Sequence, residues 1–61
     1  MLKVTWNMNS GKTYTSTMEG ESWMDVADFL CDNPNFIKVD NGSQQVTLAT
    51  PNISDFTVEA L

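Results

Sequence analysis

Three aspartates have the only spacing in this chain that could support acid–base or cation chemistry. Asp25 and Asp28 stand three residues apart and Asp28 and Asp32 four, so on a helix they would be close enough to share a cation or to raise one another's pKa. Nothing around them completes a catalytic set. The chain has no histidine and one cysteine, Cys31. That removes the usual general base, the Ser-His and Cys-His nucleophile arrangements, His-containing zinc sites and an all-thiolate metal site. The acidic stretch lacks the spacing and central glycine of an EF-hand loop. Gly11, Gly20 and Gly42 stand singly rather than in a phosphate-cradling loop. The carboxylates therefore read as a solvated charge stripe. The expectation is a binding protein and not an enzyme, with no catalytic residue, metal ligand or cofactor.

The stripe belongs to a wider charge imbalance. Eight acidic residues against three lysines give a net charge of −5 in 61 residues. Glu19, Glu21, Asp25, Asp28 and Asp32 fall in one run, with no basic residue between Lys12 and Lys38. Such a surface repels phosphate backbones and attracts cationic ones. A basic protein partner is expected, and direct nucleic-acid binding is not. No apolar run is long enough to span a membrane, and the N-terminus lacks a charged-then-apolar signal pattern. The expectation is therefore no membrane association and a cytoplasmic location. Asn41-Gly42-Ser43 and Asn52-Ile53-Ser54 fit the glycosylation sequon but read as turn chemistry in that setting.

The element that must position these carboxylates runs from Gly20 to Asn35. Ser22 and Asp25 form a capping box of the type S-x-x-D, which sets the start of a helix near Ser22. Pro34 disfavours helical geometry at Asn33, so the helix is expected to end at about Asp32 or Asn33. At about 100° per residue, Trp23, Val26, Ala27 and Leu30 fall on one face with Met24 and Cys31 at its edge, while Asp25, Asp28 and Asp32 line the other. Trp23 and Leu30 are thus expected in the core, and Cys31 as a buried, inert thiol. Phe29 projects between the two faces. Either the helix is rolled so that Phe29 packs at a sheet edge, or Phe29 is an exposed aromatic ringed by carboxylates and suited to docking on a basic, partly apolar surface. The candidate partner-binding set is Glu21, Asp25, Asp28, Phe29 and Asp32.

The rest of the chain reads as strands. Leu2, Val4, Trp6 and Met8 alternate with Lys3, Thr5 and Asn7, a period of two that predicts a half-buried strand. Asn9 to Lys12 marks a hairpin loop. In the return strand Tyr14, Ser16 and Met18 share one face, and Thr13, Thr15 and Thr17 the other. Phe36 to Asp40 and Gln45 to Thr50 form a second hairpin, for which Asn41-Gly42 predicts a type I′ turn. From Ile53 to Leu61, Phe56, Val58 and Ala60 alternate with Asp55, Thr57 and Glu59, which favours a fifth strand over a terminal helix. A single small domain, 1–61, is predicted in the α+β class with the order ββαβββ. Its architecture is one twisted antiparallel sheet, or a partly open small barrel, with a single helix packed on one face.

The stretches VTWNMNSGKTYTS, FIKVDNG and QVTLATPNISDF resemble, in size and texture over most of the chain, the small acidic proteins of Gram-positive bacteria and their prophages. That resemblance implies a phage- or host-encoded accessory or regulatory protein. Three functional readings follow from the residues themselves. The first is an interaction module, accessory or inhibitory, that binds a basic partner through the acidic helix face. The second is a DNA mimic that blocks a nucleic-acid-binding enzyme, which requires acids on several elements to form one surface; only Asp40, Asp55 and Glu59 could extend the stripe. The third is a structural protein that self-associates, for instance through an edge strand bearing Thr13, Thr15 and Thr17.

Overall fold

The computed structural model describes residues 1–40 and 42–61. Among them the chain forms β1 (Leu2–Met8), β2 (Thr13–Met18), α1 (Trp23–Asp32), β3 (Phe36–Asp40), β4 (Gln45–Ala49), a single 3₁₀ turn (Thr50–Asn52) and β5 (Ile53–Ala60). The α+β class and the ββαβββ order are as expected, and the C-terminal segment is a strand. β1 is the middle strand of a three-stranded sheet of order β2-β1-β5, and β3 pairs with β4 in a sheet of two; every pairing is antiparallel. The strands are therefore divided between two sheets rather than joined in one, and no barrel closes. β3 approaches β2, but the second hairpin turns Ile37 and Leu48 into the common core instead of extending the first sheet's ladder.

Period-two alternation decides which residues meet. Leu2, Val4 and Trp6 of β1 stand opposite Met18, Ser16 and Tyr14 of β2 and opposite Ala60, Val58 and Phe56 of β5. The inward face is thus apolar except at Ser16. Leu2, Val4, Trp6, Val26, Ile37 and Leu48 form the buried cluster. The outward face of the same sheet carries Lys3, Thr5 and Asn7 between Thr13, Thr15 and Thr17 on one side and Asp55, Thr57 and Glu59 on the other.

Ser16 explains how the buried tryptophan is accommodated. The Trp6 indole is 1 % exposed, so its N–H has no access to water and needs an internal acceptor. It donates to Ser16 Oγ at 2.8 Å, and the Trp6 ring lies 5.8 Å from that of Phe56 at 46°. Ser16→Ala is expected to cost about 1–3 kcal/mol by orphaning that donor. Adding Trp6→Phe to it should cost less than the sum of the two single changes. Urea unfolding of the three variants measures both, and strict additivity would show that the bond contributes nothing.

The turns follow from local chemistry. Gly11 takes φ 90° and donates to the Met8 carbonyl, while the Met8 amide donates to the Lys12 carbonyl, so a tight turn closes onto a left-handed residue as in a three-residue hairpin loop. At the second hairpin the Gly42 amide donates to Asp40 Oδ1 at 2.7 Å; the Asn41 half of the expected type I′ turn lies outside the described residues. Between Asn7 and Met8 the β1–β5 register shifts, leaving Ser54 unpaired. Its hydroxyl donates to the Asn7 carbonyl at 2.9 Å, which satisfies the bulge locally.

Candidate functional site: the outer face of the helix

The helix begins where the capping box sets it. Ser22, extended at φ −152°, accepts from the Met24 amide, and the Asp25 carboxylate closes the reciprocal half of the box. That carboxylate takes the Glu21 amide at 2.7 Å and the Ser22 amide at 3.2 Å. Gly20 makes the approach feasible. At φ +158° it adopts a conformation that L side chains rarely take, and a Cβ there would come within 3.0 Å of both the Asp25 Cβ and the Leu2 Cδ1. At the other end Asn33 caps the helix: its amide donates to the Leu30 carbonyl and its side chain to the Phe29 carbonyl at 2.8 Å. Thr50 Oγ1 donates to the Asn33 carbonyl at 2.8 Å, which ties the helix end to the 3₁₀ turn.

The amides of Glu21 and Ser22 hold the Asp25 carboxyl below its ordinary value of 3.8. A group whose pKa falls on folding stabilises the fold above its unfolded value and loses that contribution as pH drops through the folded one. Asp25→Asn is therefore expected to be less stable than the parent at neutral pH, with the gap closing once the pH has fallen from 3.8 through the lowered value. Unfolding curves at a series of pH values test this, and a gap that stays constant down to strong acid would contradict it.

Val26 is the fully buried residue of α1, with Phe29 and Leu30 half-buried against the core. Relative to the face that spacing alone favours, the helix is rolled by roughly 50°, on the usual 100° per residue. This corrects two expectations, for Trp23 and Cys31, and decides between the two readings of Phe29 in favour of the rolled helix. Trp23 is 62 % exposed and not a core residue, and Cys31 is exposed and not a buried thiol. Phe29 is not an exposed aromatic within the acidic stripe; it borders a surface hollow of about 390 Å³ together with Asn33, Phe36, Ile37 and Lys38. Turned inward, Phe29 packs against the buried cluster, whereas Trp23, in the first turn, borders an open groove with Leu2, Phe56, Val58 and Ala60.

The structure thus divides the proposed partner-binding set. Asp28 and Asp32 are exposed, one helical turn apart, and Glu21 is exposed just before the helix. Asp25 is exposed but committed to the cap. Phe29 is half-buried against the core, while Trp23 and Met24, at 62 % and 59 % exposure, are large apolar side chains of the helix that face solvent. Sequence reasoning missed this pair, although the clue was present: turning the ambiguous Phe29 inward swings Trp23 and Cys31 outward. Among the described residues no three His, Cys, Asp or Glu side chains come together to hold a metal ion. No described helix is long and apolar enough to cross a membrane. Comparisons with protein-family models, curated proteins and solved structures find no match to this chain.

Proposed function

We propose that this protein is a small interaction module, accessory or regulatory to a partner with a basic surface, and that the partner docks on the outer face of α1. The observation that carries this reading is the exposure of Met24 on the side of α1 that carries Asp28 and Asp32, with Trp23 and Glu21 exposed at the N-terminal end of the helix, on a chain of net charge −5. Exposed apolar side chains on an acidic element have the composition of an anchor with a steering field: burial of the anchor supplies affinity, and the carboxylates supply orientation and speed of encounter. The chemistry present favours binding over catalysis, and nucleic acid is a poor ligand for such a surface.

DNA mimicry is supported less well. Asp55 and Glu59 lie on the outward face of the three-stranded sheet, whereas α1 packs Val26 against the inward face. The two acidic sets face opposite ways and form no continuous phosphate-like track. Self-association through β2 lacks charge complementarity, since each copy brings a charge of −5.

Asp28→Asn with Asp32→Asn is the direct test, because neither residue takes part in the cap. The variant should keep the parent's circular dichroism and unfolding midpoint. A partner captured from the native cell by the parent should be lost by the variant, and released from the parent as salt rises past about 0.15 M, where screening acts within about 8 Å. Equal capture by both proteins at every salt concentration would overturn the reading.

A further inference from the structure

We propose that the outer edge of β5 is a strand-addition site for an extended partner segment that alternates apolar and basic residues. The proposal takes the partner's positive charge from the function proposed above and adds its conformation and a second docking element. β5 bonds to β1 on one side and is the last strand of its sheet, so its other edge presents backbone donors and acceptors along eight residues. Beside that edge lies a groove of about 290 Å³ lined by Leu2, Glu21, Trp23, Phe56, Val58 and Ala60. A strand added there would place every second side chain in this groove, under the exposed Trp23. The alternate side chains would emerge on the opposite face next to Asp55 and Glu59, which are exposed although Asn7 Nδ2 donates to Asp55 and Lys3 stands across from Glu59. Apolar residues suit the first row and lysine or arginine the second. A second copy of this chain fits less well. A twofold centred on Thr57 would set Asp55 opposite Glu59, and each copy brings a charge of −5.

The test uses the whole protein and three capped peptides of about nine residues, the length of an ordinary strand. One alternates lysine and valine, one has the same composition in blocks, and one alternates glutamate and valine. The alternating lysine peptide should bind, the other two should bind at least about tenfold more weakly, and amide hydrogen exchange in residues 53–60 should slow by a similar factor. Glu59→Gln and Trp23→Ala should each weaken binding, while Asp28→Asn with Asp32→Asn should leave it unchanged, so that the helix-face reading and this one fail separately. Equal binding of the block peptide would reduce the effect to charge alone and overturn the proposal. Slowed exchange confined to residues 23–32, or a concentration-dependent dimer protected along β5, would overturn it as well.

Discussion

Trp6→Ala is expected to unfold a large part of the population under ordinary conditions. The side chain is 1 % exposed on the middle strand. Its loss removes the contact with Phe56, the donor to Ser16 and the bulk around which Leu2, Val4, Ile37 and Leu48 cluster. Truncating a buried aromatic costs about 3–5 kcal/mol. At roughly 0.05–0.15 kcal/mol per residue, a domain of this size has about 3–9 kcal/mol in total. Urea unfolding followed by far-ultraviolet circular dichroism measures the loss. A cost below about 1 kcal/mol, the ordinary surface-to-average range, would show that the core is not centred on β1.

The second large effect concerns the helix. Val26 is its fully buried residue, so Val26→Asp sets a carboxylate among Leu2, Val4 and Trp6 with no cation among those core neighbours. An unpaired buried charge costs several kcal/mol beyond the apolar contact it replaces, and a helix of ten residues has too little intrinsic stability to survive detached. Loss of the helical signal and of cooperative unfolding is the expected result at neutral pH. Trp23→Ala is the companion measurement and should change stability by no more than about 0.5 kcal/mol, as surface changes do. A tolerated Val26→Asp together with a costly Trp23→Ala would reverse the assignment of the helix faces.

Those paired outcomes also show what could be read from the chain alone. Strand positions were legible because alternation has a period of exactly two residues and a slip would turn every side chain over; Leu2, Val4, Trp6, Ser16, Phe56 and Val58 all face as the pattern requires. The helix boundaries were legible in Ser22, Asp25 and Pro34, since caps and proline act within one turn of chain. The helix roll was not. Ten residues at 100° each leave several apolar arcs of similar width, and the choice among them is made by distant neighbours such as Ile37 and Leu48 that no local pattern names. For the same reason the division into two sheets, and the return of β5 to the far side of β1, could not be seen: both depend on pairings between residues as remote as Leu2 and Ala60. The acidic residues were legible as charge, but which apolar side chains of the helix face solvent depended on the roll, so the exposure of Trp23 and Met24 could not be read locally.

The two tryptophans permit one decisive measurement, because one is buried at 1 % exposure and the other open at 62 %. Protein labelled with 5-fluorotryptophan should give two ¹⁹F resonances, of which only that of Trp23 shifts between H₂O and D₂O. On addition of the captured partner, the account predicts that the Trp23 resonance moves and loses its solvent dependence while that of Trp6 stays in place. A complex in which the Trp23 resonance keeps both its position and its full solvent shift would contradict the proposed docking surface.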